Sequence, residues 1–282
     1  MGEDPYTNPM RVFPAVHYSM GGLWVDFERD KSGSLVAGSP RNQATNLEGL
    51  YAAGEVDYQY HGANRLGANS LLSCIYAGMV TGPAIAAYRK NLAKSSWDLP
   101  SSLFTKAKAR EQAKYDTILA MDGDENPYVL HEELGRIMLL DVTIERDNGK
   151  LDAVLAKIDE IAERASQSGV TDTSTHANQG APFIRHLQNM IVLARVIAQG
   201  ARNRDESRGA HFKPAFKDRN DAEWLRSTLA LHRPGDGEGA IEYVRGLDYS
   251  INGKSLHATD QVDITLVKPR VRKYETAGAA SA

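Results

Sequence analysis

Apolar residues recur every three to four positions along the second half of the chain, which is the spacing of amphipathic helices. Pro127 directly follows Asn126, an arrangement typical of a helix that begins with an N-cap and a first-turn proline. Helices of this kind joined by short loops predict a three- or four-helix bundle. The predicted helices are residues 102–121, a segment from Pro127 that ends by residues 148–149, residues 151–165 and residues 187–198.

The first third of the chain has a different pattern and is rich in glycine. Residues 21–82 hold 10 of the 24 glycines, whereas residues 83–134 hold one. Two short apolar runs, 22–27 and 49–54, predict strands. A helix should follow at about residues 69–92, and its first half is apolar nearly all round, which predicts burial between layers. A glycine-rich α/β segment therefore precedes a helical one.

After His211 the pattern becomes irregular. The sequence predicts one more helix, a glycine-rich loop, two late strands and a disordered tail from Glu275 onward. The helix is expected at residues 221–231, the loop at 235–239, and the strands at 241–246 and 261–267.

Composition narrows the class of protein. The 282 residues are 42% hydrophobic and 24% charged, which excludes a disordered or low-complexity chain. A net charge of −3 means that the chain lacks the excess of positive charge that favours binding to nucleic acid or to an anionic membrane surface. The single cysteine, Cys74, excludes a disulfide framework and fits a reducing compartment. No run of about 18 apolar residues suggests a membrane span, and the N-terminus has no signal-peptide pattern.

The densest polar cluster is the block at residues 61–72 (HGANRLGANSLL). It places Arg65 between two glycines and then opens the predicted helix at Asn69 and Ser70. Arginine offers a planar fork that matches a carboxylate, and a helix N-terminus offers unpaired backbone N–H groups. Together they predict an anion site. A surface loop with a solvated arginine and an ordinary N-cap fits the same spacing, so both interpretations stay open.

Two other segments carry candidate chemistry. His17 precedes a Gly-Gly pair and can hydrogen-bond a carboxylate, although a lone histidine among apolar neighbours is more often structural. Glu55 follows a predicted strand and a glycine, where an acid can meet a sugar or ribityl hydroxyl, or simply end the strand at the surface. The charge run at residues 202–208 is interpreted as a solvated face or an ion-pair network. No metal site is predicted, because the histidines show no paired ligand spacing.

Taken in order, five blocks resemble the flavoprotein subunit of succinate dehydrogenase and fumarate reductase. The similarity covers nearly the whole chain. The sequence of residues 14–26 is most similar to the branch of the family found in Gram-positive and some other bacteria, which pair the subunit with a cytochrome b anchor. The blocks are residues 17–22 (HYSMGG), 53–55 (AGE), 61–72, 203–211 (NRDESRGAH) and 219–224 (RNDAEW).

The resemblance implies oxidation of succinate to fumarate, or the reverse, by hydride transfer to FAD. It implies that His17 and Arg65 bind the dicarboxylate, that Glu55 contacts FAD, and that Ser70 and Leu71 begin the helix whose N–H groups face the flavin. It further implies electron transfer to an iron-sulfur subunit and, through it, to a membrane cytochrome b anchor. The expected location is cytoplasmic, on the inner face of the cell membrane through partner subunits.

One departure from the family concerns its dinucleotide-binding unit. The chain contains no Gly-x-Gly-x-x-Gly, which in the family lies N-terminal to the matching blocks. We therefore expect the C-terminal half of such a subunit, inactive alone. The expected fold class is α/β plus all-α, with the C-terminal part of a Rossmann-like FAD-binding domain at 1–95, a helical bundle at 96–205 and a small α+β appendage at 206–282.

Two alternatives remain at this stage. L-aspartate oxidase shares a similar block around Arg65, but its C-terminal bundle is expected to differ from the blocks at 203–211 and 219–224. The chain could also act as a non-catalytic docking or assembly module. In that case a change at Arg65 would leave flavin and dicarboxylate binding unaffected.

Overall fold

The computed structural model describes residues 4, 6–7, 17–58, 60–225, 227–232, 241–244, 249–251 and 254–256, with side chains as far as residue 230. The chain divides into two compact units, Met1–Trp97 and Asp98–Ala282. The three predicted domain ranges stay a prediction.

The first unit begins with extended segments that hardly pair. Leu23 and Asp57 form an isolated parallel bridge, and Ala44 and Tyr51 form an isolated antiparallel one, so the strands predicted at 22–27 and 49–54 are not strands among the described residues. Positive φ angles at Gly49 (82°) and Gly54 (88°) interrupt the extended backbone at both ends of the second run. Instead of a strand end, Gly54–Val56 forms a short 3₁₀ turn.

The predicted helix of this unit is confirmed as α1, Asn69–Asn91. Its predicted burial is wrong for its large side chains. The buried residues are small ones on one face, Ser73, Ala77, Thr81 and Ala84. By length and composition alone, the segment Asn69–Asp98, which contains α1, could cross a membrane. Core helices of soluble proteins can have the same length and composition, so this is weak evidence for a membrane span. The large exposed apolar residues of its first half are Leu71, Leu72, Ile75, Tyr76 and Met79.

The second unit is built mainly from helices, and side chains cap several of them, including the two that begin at Pro127 and Asn148. Asn126 accepts a hydrogen bond from the Tyr128 N–H ahead of Pro127, as predicted, and Asp147 accepts one from the Lys150 N–H. A π-helical turn, Met138–Val142, ends the first of these two helices, so residues 148–149 start the next helix instead of ending the previous one. The helices are α2 (Ser101–Leu119), α3 (Pro127–Ile137), α4 (Asn148–Ala165), α5 (Gly180–Asn203) and α6 (Asp221–Trp224).

The apolar residues that recur along α3, α4 and α5 pack together and form the main core of this unit. Their inward faces are almost fully buried, whereas Ile118 of α2 packs with Ala181 and Ile184 of α5 in a smaller cluster. The loops that join α2 to α3 and α4 to α5 pair at two isolated bridges. The main core includes Leu130, Leu134, Leu151, Val154, Ile158, Ile161, Leu187 and Ile191.

The end of the chain departs from prediction at one helix. The helix predicted at 221–231 ends at Trp224, because the Arg204 Nη1 donates to the Trp224 carbonyl at 2.9 Å and its Nη2 donates to the Thr228 hydroxyl. These bonds replace the helical hydrogen bond that would continue α6. Two antiparallel hairpins follow, β1 (Leu229–His232) with β2 (Ile241–Val244), and β3 (Tyr249–Ile251) with β4 (Lys254–Leu256). The predictions at 235–239, at 261–267 and from Glu275 onward lie outside the described residues.

Candidate functional site

Two predicted site residues, 48 positions apart in sequence, meet in the first unit. The Arg65 Nη2 donates to the His17 Nδ1 at 2.8 Å. A guanidinium can only donate, so the His17 Nδ1 holds a lone pair and the ring proton sits on Nε2. The exposed His17 ring therefore presents an N–H donor beside a permanent positive charge.

The guanidinium of Arg65 has unused donors. Its Nη1 donates to the Leu66 carbonyl at 3.2 Å, and its Nε is buried without a hydrogen-bond partner among the described residues. A buried N–H without a partner is costly, so this atom marks a place where an acceptor belongs. A carboxylate bound bidentately through Nε and an Nη nitrogen would satisfy it.

Three further residues support this pair, and the sequence analysis did not place them in the site. The Tyr18 ring lies under the Arg65 guanidinium, 5.6 Å from Cζ to the ring centroid, and meets the His61 ring edge to face at 4.9 Å. Both side chains reach the hydroxyl of Ser73 on α1, with Tyr18 OH at 3.4 Å and His61 Nε2 at 3.0 Å. In the sequence Ser73 is only a polar residue within an apolar helical run, which does not by itself single it out.

Glu55 lies beside the segment that carries His17. Its Oε1 accepts a hydrogen bond from the Ser19 N–H at 2.9 Å, and the described residues donate no hydrogen bond to its Oε2. The Leu23 N–H donates to the Val56 carbonyl at 2.7 Å and holds the two segments together. A β-carbon added at Gly22 would lie 2.3 Å from that carbonyl oxygen, so only glycine allows this approach.

The N-terminus of α1 carries the remaining two predicted residues, Ser70 and Leu71. No side chain caps this helix within the described residues, and the residue at its N-cap position, Ala68, has a positive φ of 64°. The Ser70 carbonyl accepts the Ser73 hydroxyl proton at 2.8 Å, and the Leu71 side chain is exposed. The Asn69 N–H donates to the Leu66 carbonyl at 3.3 Å, and the N–H groups that follow it in the first turn form an open positive end of the helix dipole.

In the second unit, the charge run is an ion-pair network, and its centre is buried instead of solvated. Glu206 is fully buried and accepts hydrogen bonds from Arg204, Arg208 and the Asn220 N–H. Burial opposes its ionisation, but the hydrogen bonds from Arg208, Asn220 and Arg204 outweigh that and lower the pKa of Glu206. Since every carboxylate oxygen is occupied, Glu206 serves the fold.

His211 lies in the same network. Its Nε2–H donates to the Arg204 carbonyl at 2.9 Å, and its Nδ1 accepts from the Arg146 Nη1. Burial, and then the charge of Arg146, lower the pKa of His211 to about 4. Lys213 is also buried and donates to the Arg202 carbonyl and to Asp205. This network is structural as well.

Comparison with known proteins decides the family. Residues 131–274, more than half of the chain, match the family of the fumarate reductase flavoprotein C-terminal region. The chain belongs to the succinate dehydrogenase and fumarate reductase flavoprotein family. Residues 1–71 match an FAD-binding domain family, so the family resemblance and the FAD cofactor inferred from the sequence are confirmed. The coarse fold class, part of an FAD-binding domain followed by a helical region, agrees with these matches.

Relatives of this flavoprotein family are similar along most of the chain. The succinate dehydrogenase flavoprotein subunit of Bacillus subtilis is 47% identical over 97% of this chain and 42% of its own length. The fumarate reductase flavoprotein subunit of Haemophilus influenzae is 33% identical over 86% of this chain and 37% of its own length. The chain thus spans about two fifths of the length of these curated relatives.

Solved structures of such reductases share the fold. A mutant quinol fumarate reductase of E. coli superposes with a TM-score of 0.72 at 30% identity, over 86% of this chain and 39% of that one. A quinol-fumarate reductase with menaquinol molecules gives the same TM-score and identity over 90% of this chain and 41% of that one.

The residues of the first unit fit the cofactor of the family by their chemistry. The uncapped start of α1 offers backbone N–H donors at the positive end of a helix dipole, which suits an electron-rich ring system. The exposed Glu55 carboxylate has an unused acceptor oxygen, Oε2, which suits a ribityl or ribose hydroxyl. These two groups could hold FAD.

Proposed function

We propose that this chain supplies the dicarboxylate-binding side chains and one side of the FAD site of a flavoprotein that interconverts succinate and fumarate. The observation that carries the proposal is the 2.8 Å contact between Arg65 and His17. It joins a permanent cation to a histidine whose free ring nitrogen is a donor, and a buried Nε without a partner stands beside them. This donor set matches a carboxylate.

Arg65 and His17 have different roles in this proposal. The Arg65 fork binds one carboxylate bidentately, so it fixes both the position and the plane of that group. The His17 Nε2–H donates a second hydrogen bond to the same dicarboxylate. Because its Nδ1 accepts from Arg65, the histidine cannot rotate its donor away without losing that contact. Substrate orientation of this kind lowers the entropic part of the barrier.

Glu55, Ser70 and Leu71 are proposed to bind the cofactor. FAD, when bound, would accept the hydride that leaves succinate, while the second hydrogen leaves as a proton. The backbone N–H groups of Ser70 and Leu71 lie at the positive end of the helix dipole, where such fixed donors would stabilise negative charge on the bound cofactor without reorganisation. Glu55 positions a hydroxyl of the cofactor through Oε2 and holds the Ser19 backbone through Oε1.

The proposed partners follow from the family. An iron-sulfur subunit would take the electrons and a membrane cytochrome b would anchor the assembly, which would place this chain at the inner face of the cell membrane. The solved relatives named for quinol and menaquinol support this arrangement. The L-aspartate oxidase alternative ranks lower because residues 131–274 match the fumarate reductase family.

The proposal is tested by ligand binding to the full chain. Calorimetry should detect succinate and fumarate but not butyrate, and Arg65→Lys should weaken dicarboxylate binding at least tenfold because lysine cannot form the fork. Arg89→Lys is the matched control, since Arg89 is exposed in the last turn of α1. Glu55→Gln should weaken FAD binding, measured by flavin absorbance after gel filtration.

Three results would contradict the proposed function. The first is wild-type chain that binds neither dicarboxylate. The second is equal affinity in the Arg65→Lys and Arg89→Lys variants, which would favour a docking or assembly module. The third is tighter binding of aspartate than of succinate, which would favour the aspartate oxidase alternative.

A further inference from the structure

We propose that Ser73 is a positioning residue of the dicarboxylate site. Its hydroxyl fixes the Tyr18 and His61 rings next to Arg65. This inference rests on the proposed function for the identity of the ligand. Ser73 is buried on the packed face of α1, and its oxygen is within reach of both rings. Ser73 touches no substrate and acts through these neighbours.

The hydrogen-bond valence of one hydroxyl decides the arrangement. A serine hydroxyl has one proton and two acceptor lone pairs. The Ser73 proton goes to the Ser70 carbonyl at 2.8 Å, so towards Tyr18 and His61 the oxygen can only accept. His61 must therefore carry its proton on Nε2, at 3.0 Å, and the Tyr18 hydroxyl must donate along its 3.4 Å contact. All three valences of Ser73 are used.

This arrangement reaches Arg65 through the Tyr18 ring. Tyr18 is buried, its hydroxyl contacts Ser73, and its ring meets the His61 ring in a T-shaped pair at an angle of 89°. The Arg65 guanidinium lies over the same Tyr18 ring, with its Cζ 5.6 Å from the ring centroid. A cation above an aromatic face is attracted to it, so a fixed ring restricts the orientation of the guanidinium fork.

The anchor of Ser73 also has a consequence for the start of α1. The carbonyl that receives its proton belongs to Ser70, whose N–H is proposed to face the cofactor. One side chain thus couples the first turn of α1 to the residues that hold the dicarboxylate. Ser73→Ala does not weaken the helix, since alanine has the higher helix propensity, and it removes the hydroxyl on which this coupling depends.

The chain offers a matched control in the same helix. Thr81 is buried to almost the same degree as Ser73, 8% against 7% exposed, and its hydroxyl donates to the Ala77 carbonyl one turn back. Thr81→Val removes a buried hydroxyl of α1 at about 12 Å along the axis from Ser73. Ser73→Thr keeps the hydroxyl and serves as the conservative variant.

The experiment uses the full chain and two independent measurements. The first is ¹⁵N NMR of the His61 imidazole, which reports the tautomer without any ligand. We expect the Nε2-protonated form to dominate in wild type, Ser73→Thr and Thr81→Val, and a mixture of tautomers in Ser73→Ala. The second is the affinity for succinate, which should fall about tenfold in Ser73→Ala and stay within about threefold of wild type in the other two variants.

The two measurements separate this inference from the proposed function. An unchanged His61 tautomer in Ser73→Ala overturns the role of Ser73, whatever the affinities are. An equal loss of succinate affinity in Ser73→Ala and Thr81→Val overturns it as well, since any buried hydroxyl of α1 would then suffice. Wild-type chain that fails to bind succinate contradicts the proposed function, while the tautomer result still decides whether Ser73 fixes the rings.

Discussion

Acid should destabilise the second unit at a pH where its carboxylates are still ionised, because of His211. Its Nδ1 accepts from Arg146 and its Nε2–H donates to the Arg204 carbonyl, so both ring nitrogens are committed in the neutral form. A proton added at Nδ1 would remove the acceptor and place two positive charges in contact. Burial and Arg146 accordingly lower the pKa of His211 to about 4 from its ordinary value of 6.5.

The loss of stability on acidification can be calculated from the two pKa values of His211, 6.5 in the unfolded chain and about 4 in the folded one. Between pH 6.5 and about 4 the unfolded chain binds the proton more readily than the folded one, so stability is complete above pH 6.5 and is lost as the pH falls. At about 1.36 kcal/mol for each pH unit, the loss from pH 7.5 to pH 5.0 is about 2 kcal/mol. Glu206 behaves in the opposite sense: its pKa is lowered, and its contribution is lost only as the pH falls below the ordinary value of 4.5.

Urea unfolding followed by helix circular dichroism at pH 7.5 and 5.0 measures this loss, and NMR of the His211 ring measures the pKa directly. His211→Gln keeps a donor and an acceptor but cannot take up the proton, so its free energy of unfolding should change by about 2 kcal/mol less between the two pH values. His186→Gln, which removes an exposed histidine of α5, is the control. If His211→Gln loses as much stability as wild type, the burial of His211 is not the cause.

Two other changes test the packing of the second unit. Glu206→Gln removes the buried negative charge that Arg204 and Arg208 share and should cost about 3 kcal/mol or more in urea unfolding, whereas Glu111→Gln, at an exposed ion pair, should leave the midpoint nearly unchanged. Gly123→Ala would place a β-carbon 1.9 Å from the Gln167 carbonyl oxygen and should cost more than about 2 kcal/mol. Gly135→Ala, in open space on α3, should instead stabilise the helix by up to about 1 kcal/mol. Equal effects within either pair would refute the packing argument.

The sequence predicted those parts of the fold that depend on local periodicity and caps. The helices α3 and α4 follow from apolar spacing, and Asn126 with Pro127 predicted one helix start correctly. The prediction at 221–231 failed because a distant residue, Arg204, takes the carbonyl that the helix needed. Contacts over such sequence distances leave no periodic signal.

The candidate site shows the same division. The sequence around Arg65 and around His17 is ambiguous for each residue alone, and only the family resemblance singles the two out. Their contact, and the roles of Tyr18 and His61, depend on residues more than 40 positions apart that meet at α1. The role of the Ser73 hydroxyl could not be predicted from the sequence, because it depends on the hydrogen bonds that this hydroxyl accepts from Tyr18 and His61 in the folded chain.

The orientation of α1 has a physical reason that hydropathy does not contain. A β-carbon on Gly54 would lie 3.3 Å from the Cys74 sulfur, so the turn at Gly54 approaches the helix very closely. Only a face of small side chains tolerates such an approach, and the face with Ser73 and Ala77 is therefore the one that packs. The larger residues, such as Ile75, are then left exposed. Close backbone approach, and not total apolar area, thus decides which side of α1 carries the site.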